Sequence, residues 1–357
     1  MNTVAYIHSP ICESIIMKAA SSGFFDVDAI IYGRGYHGYF SNSLYLQEDG
    51  FSNEIGLVSH AYLFDRFLTR MGYKEVRLII PHTYLGLFTL YTTHKSVKEV
   101  VYVEEGEAAY QNNLQYIKIQ KSDSATFNSG VIDIVRQLGF DIAGVNLSQG
   151  EFYTDCYGKY VGVLACSDMA FRNFPGTKWR VNLQKVNYFD EDVIIILCTN
   201  IYDFYPILNK RISENKIKVN GHEILNSLFV AQIKLIKKIL EKSPGDKYRK
   251  IIKRHPAISS YAFKNFMSHF PSVESWDDSK IGYETSGVEV GCLNFSKLYS
   301  IGVSSAARYA RMLNQSVEIE VTEISDFEVI DLAYDLYISP CETHFMSEPI
   351  ADPKLIL

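Results

Sequence analysis

The chain has 357 residues, more than one hydrophobic core usually supports, so two domains are expected. Hydrophobic residues at 47% and charged residues at 21% describe a globular protein, neither disordered nor membrane-embedded. A net charge of −6 argues against broad nucleic-acid binding.

In chain order, "TVAYI" (3–7) predicts a strand, "CESIIMKAAS" a helix and "VDAIIY" (27–32) a second strand. Helical "GLVSHAYLFDRFLTR" (56–70) leads to the apolar runs "EVRLII" (75–80), "LGLFTLYTT" (85–93) and "EVVYV" (99–103). Further βα-like material, including "GVIDIVRQLGF" and "YVGVLAC", continues to about residue 185. A second series opens at "DVIIILC" (192–198), followed by the amphipathic helix 222–242 and the strand "YRKIIKR" (248–254). A helix near 258–267, strand "LYSIGV" (298–303), helix "SAARYARML" (305–313), strand "SVEIEV" (316–321) and helix "DFEVIDLAYDL" (326–336) complete it.

Strands alternating with helices imply parallel sheets covered on both faces. Two such series, split near residue 188, predict two Rossmann-like domains, 1–188 and 189–357, facing across a central cleft. GT-B glycosyltransferases share this design, as do other two-domain α/β enzymes.

"GRGYHG" (Gly33, Gly35, Gly38) matches a dinucleotide-binding fingerprint. It follows the second strand and precedes poor helix material, "YFSNSLYLQEDG", so it reads as a loop.

Three short signals carry chemistry. Glu104-Glu105-Gly106 ends an apolar β-type run, where α/β folds bind ligands. A similar triplet, Glu48-Asp49-Gly50, lies in turn-rich sequence and reads as a turn. Side chains alternate along a strand, so one glutamate can face a cleft as proton acceptor while its neighbour braces the loop. His255-Pro256 is the chain's only His-Pro and ends a second-domain strand, where the histidine can donate to a phosphate oxygen or serve as a cap. Ser304-Ser305 stands between a strand and a helix, a place for capping hydroxyls or a phosphate cradle.

Glu-Glu-Gly, then His-Pro, then Ser-Ser, in that order over nearly the whole chain, resembles the bacterial sialyltransferases and polysialyltransferases. "AYIHSPICESIIMKA" resembles their first βα loop, with Ser9-Pro10 near the acceptor site, and "KIGYETSGVEV" (280–290) the segment whose glutamate, here Glu284, holds the ribose of CMP. The resemblance implies a GT-B fold in which 1–188 binds the acceptor and 189–357 the CMP-sugar donor. It implies Glu104 as the base with Glu105 beside it. His255 and Pro256 would meet the leaving CMP phosphate, which Ser304 and Ser305 would hold. The implied reaction is inverting, metal-independent transfer of sialic acid from CMP-sialic acid to a glycan hydroxyl of capsule or lipooligosaccharide. Alternatives are a Kdo transferase using CMP-Kdo and a non-catalytic nucleotide- or sugar-binding protein.

Six cysteines (Cys12, Cys156, Cys166, Cys198, Cys292, Cys341) lack metal-binding spacing and read as reduced thiols. The start "MNTVAYIHSP" lacks a signal-peptide pattern, and "VIIIL" (193–197) is too short to span a membrane. The expectation is a cytoplasmic chain. Residues 234–254, with nine Lys/Arg against two acids, are a solvated helix face or a patch for an anionic ligand or the inner membrane face.

Overall fold

A computed structural model describes residues 1–33, 40–46, 53–110, 116–119, 127–147, 153–183, 190, 192–198, 221–242, 248–255, 258, 260–276, 295–301, 305–313 and 317–322. It divides into two units, Met1–Leu183 and Gln184–Leu357.

The first unit is a seven-stranded sheet of β1 (Asn2–Ile7), β2 (Ala29–Tyr32), β3 (Ser43–Tyr45), β4 (Val76–Ile80), β5 (Val97–Val103), β6 (Tyr160–Ala165) and β7 (Thr177–Arg180). The order is β3-β2-β1-β4-β5-β6-β7, and neighbouring strands run parallel. The central strands are buried along nearly their whole length, which is why they read as near-continuous apolar runs. The chain winds outward from β1 to β3, returns to the middle at β4, and winds the other way. The reversal between β1 and β4 is a topological switch point, the usual ligand crevice of such sheets.

Helix α1 (Pro10–Ser21) starts with Ser9 as N-cap, its hydroxyl accepting from the Cys12 N–H at 3.5 Å, and with Pro10 as first helical residue. Helix α2 (Glu54–Met71) buries Leu57, His60, Ala61, Phe64, Phe67 and Leu68, one stripe at helical spacing. It stops at Gly72, whose φ of 71° suits the left-handed cap. "LGLFTLYTT" forms helix α3 (Gly86–Thr92), every residue of it buried. A helix wrapped in core on all sides loses its 3.6-residue signature. Its threonines satisfy themselves locally: the Thr92 hydroxyl donates to the Thr89 carbonyl at 2.7 Å, and Thr93 to Leu90 at 2.7 Å. Helix α4 (Ser129–Gln137) follows.

The second unit orders β8 (Val193–Leu197), β9 (Arg249–Lys253), β10 (Glu274–Trp276), β11 (Lys297–Ile301) and β12 (Glu318–Thr322) as β10-β9-β8-β11-β12, all parallel. The chain reverses between β8 and β11. Alternation along β8 builds two cores. Ile194 and Ile196 pack with Ile233, Ile236 and Ile239 of helix α5 (Gly221–Lys242) and with Phe263 and Phe266 of helix α6 (Ser260–Met267). Val193, Ile195 and Leu197 face the other way, against Ala306, Ala307 and Ala310 of helix α7 (Ser305–Leu313).

The chain is therefore two successive parallel α/β units. Three strands escape the sequence reading, β3, β7 and β10, all short sheet edges with half-exposed residues. At β7 the fit depends on Gly162 of β6, where a Cβ would meet the Thr177 carbonyl oxygen at 2.1 Å. In the "GRGYHG" stretch, Gly33 ends the strand region and the next described element is strand β3; residues 34–39 lie outside the described residues. The expected helix 326–336 also lies outside them.

Candidate active site

The carboxyl ends of β1, β4 and β5 converge beside the first unit's switch point. His8 directly follows β1, His82 stands two residues past β4, and Glu104-Glu105 directly follows β5. Oε1 of Glu105 lies 2.5 Å from Nε2 of His8, and Oε2 lies 3.3 Å from Nε2 of His82. One carboxylate is thus gripped by two imidazoles from two other strands, a charge-assisted arrangement when either ring is protonated.

Packing fixes these rings. The side chains of His8 and His82 are 0% and 4% exposed, against 16% for Glu105. Phe88 of α3 packs steeply against both, with ring centroids 6.0 Å from His8 and 4.9 Å from His82. The Cys12 thiol is held above its ordinary pKa by burial, with His8 pulling the other way. The Tyr153 phenol is raised well above 10 by burial, then by the charges of Glu105, Cys12 and Glu104. It stays protonated next to the two carboxylates.

Glu104, the expected base, is fully buried. Its Oε1 accepts from the Tyr110 hydroxyl at 2.6 Å and its Oε2 from the Cys166 N–H at 2.7 Å. Its own N–H donates to the Leu164 carbonyl at 3.0 Å. The side chain ties the end of β5 to the end of β6. Gly106 makes this possible: with φ of 120°, a left-handed conformation that favours glycine, it turns the chain into the short 3₁₀ segment Glu107–Tyr110 that returns Tyr110 to Glu104. Alternation separates the two glutamates as expected, and Glu105 is the one that meets the histidines. Ser9 sits next to His8 at the same sheet edge, as the cap of α1.

In the second unit, His255 is half-buried two residues beyond β9, its carbonyl accepting from the Ile258 N–H at 2.9 Å. Arg254 Nη1 donates to the Ile258 carbonyl and pins the same turn. Ser305 is the first residue of α7. Pro256, Glu284 and Ser304 lie outside the described residues. Two basic side chains are buried in this unit: Lys253, the last residue of β9 and one of the nine Lys/Arg of 234–254 expected on a solvated face or anion patch, at 3% exposure, and Arg308 of α7 at 9%. Lys253 bears on Cys198 just past β8, lowering a thiol pKa that burial raises more strongly.

Sequence reasoning also gave no role to His8 and His82. Their signal was position, each within two residues of the end of an apolar strand, the same placement that marked Glu104 and Glu105. Among the described residues, no helix is long and apolar enough to cross a membrane.

No family model matches the chain, and no curated protein matches it. Among solved structures it is similar to S. aureus MnaA in complex with UDP, at 12% identity over 100% of this chain and 90% of that one, with a TM-score of 0.38. It is also similar to UDP-GlcNAc 2-epimerase from Neisseria meningitidis bound to UDP-GlcNAc, at 9% identity over 100% and 93%, with a TM-score of 0.36. Likeness of that degree assigns no residue and no activity.

Proposed function

We propose that the chain is an inverting glycosyltransferase of GT-B type that transfers sialic acid from CMP-sialic acid to a glycan hydroxyl of capsule or lipooligosaccharide. The supporting observation is the grip of His8 and His82 on Glu105 at the switch point of the first sheet. The base expected at Glu104 is assigned to Glu105, because both oxygens of Glu104 already accept short hydrogen bonds inside the protein. Glu105 is the most accessible member of its trio, and the imidazoles aim it.

In this reading the acceptor hydroxyl gives its proton to Glu105 as its oxygen attacks the anomeric carbon from the face opposite CMP. The bond from that carbon to the phosphate oxygen breaks, and the negative charge develops on the departing CMP phosphate. His255 and Pro256, Ser304 and Ser305 would hold the phosphate and Glu284 the ribose, with Lys253 at the end of β9 and Arg308 in α7 adding positive charge. Each aimed donor at a developing charge is worth about 10²–10³ in rate. Ser9-Pro10, beside His8, would border the acceptor. The donor is activated and the departing charge is met by protein groups, so the transfer step itself calls for no metal.

The discriminating experiment is a thermal-shift panel of CMP, UDP, GDP and NAD, with CMP-sialic acid and CMP-Kdo assayed for turnover. A nucleotide at about 100 times its dissociation constant adds roughly 2.7 kcal/mol, so CMP alone should raise the melting temperature clearly. Stabilisation by UDP in place of CMP would refute the donor assignment. CMP binding without turnover of either sugar would refute catalysis.

A further inference from the structure

We propose that His8, His82 and Glu105 form a binding site for a zinc-type transition-metal ion. Each offers one ligand atom, and these atoms all lie within 4.8 Å of one another. The three come from the ends of three strands, so the sheet holds them in place rather than a loose loop. Two imidazoles and one carboxylate suit Zn²⁺, Co²⁺ or Ni²⁺; Mg²⁺ and Ca²⁺ favour oxygen alone.

One of the two contacts already has the spacing such an ion needs. Ligand bonds of about 2.0–2.1 Å in tetrahedral geometry place ligand atoms roughly 3.3–3.4 Å apart. Glu105 Oε2 and His82 Nε2 already stand 3.3 Å apart. Oε1 and Oε2 face different rings, so the glutamate must rotate until one oxygen serves both, opening the 2.5 Å contact of Oε1 with His8 Nε2 by about 0.8 Å.

Burial makes the site one-sided. Both imidazoles are enclosed while Glu105 is partly exposed, so an ion would enter past the glutamate and receive three of its four tetrahedral ligands from the trio. Three protein ligands are fewer than the four of a closed structural zinc site. The outer support exists too: Phe88 packs against both rings, and Cys12 lies beside His8. The ion takes the lone pairs that Glu105 would offer a hydroxyl proton. On the transfer reading above, therefore, metal occupancy switches the base off.

The test reads binding directly, so it stands or falls apart from the transfer reading. Co²⁺ is titrated into the full chain, free of any polyhistidine tag, and its visible ligand-field absorption followed; Zn²⁺ is then added as competitor. The expected result is one equivalent of Co²⁺ with an intense low-coordinate spectrum, displaced stoichiometrically by Zn²⁺. H82Q and E105Q should each weaken binding at least tenfold, with melting curves showing both variants folded, while H255Q should bind like the parent chain. H8Q serves in place of H82Q should that variant fail to fold. Absence of the spectrum, or equal Co²⁺ affinity in the parent, H82Q and E105Q chains, would overturn the site.

Discussion

Glu104 Oε1 and the Tyr110 hydroxyl meet at 2.6 Å across the turn opened by Gly106, and this contact separates the roles of two adjacent glutamates. The turn that delivers Tyr110 to Glu104 also leaves the Glu105 carboxylate on the histidine side.

Glu104→Gln should therefore act on stability. The amide keeps one acceptor but presents N–H groups where a carboxylate oxygen now receives either the Tyr110 hydroxyl or the Cys166 N–H. Losing one such charge-assisted bond costs about 1.5–3 kcal/mol, a fall of roughly 3–12 °C in melting temperature for a unit of this size. Calorimetry of the purified variant checks this. An unchanged melting temperature would show that the buried carboxylate braces nothing.

His94 should make stability sensitive to acid. It is buried, and burial lowers its pKa below 6.5, opposed by Asp65 and aided by Lys95. Its Nδ1 accepts from the Ser96 N–H at 3.1 Å and its Nε2 lies 3.4 Å from Asp65; protonation of Nδ1 would break the first contact. Between the lowered folded value and 6.5 the unfolded chain binds more protons than the folded one, so stability falls as pH drops through that window and is level above it. Urea unfolding from about pH 7.5 to about pH 5 should show this decline, and His94→Gln, which keeps an acceptor for Ser96, should flatten part of it. Identical slopes in both proteins would contradict the assignment.

The fold was legible wherever burial writes a simple pattern. β1, β2, β4 and β8 are buried along nearly all their residues and read as continuous apolar runs, while α2 reads from its buried stripe at helical spacing. Helix α3 was not legible as a helix, since core on every side removes the polar face that betrays the period. The edge strands β3, β7 and β10 were too short and too exposed to stand out.

At the site, the strand-end position of Glu104-Glu105 was visible. Which of the two faces outward was not, because alternation fixes only that they differ. His8, His82 and Glu105 are far apart in sequence, and only the return of the chain from β3 to β4, beside β1, brings them together. A lone histidine after a strand carries no mark of that in its neighbours.

The most direct measurement is the steady-state rate of CMP release and glycan transfer from CMP-sialic acid for the parent chain and Glu105→Gln. Loss of a positioned general base should lower kcat by about 10²–10⁴, with CMP affinity unchanged and the variant still folded. A Glu105→Gln enzyme that transfers sialic acid at the parental rate would contradict the account.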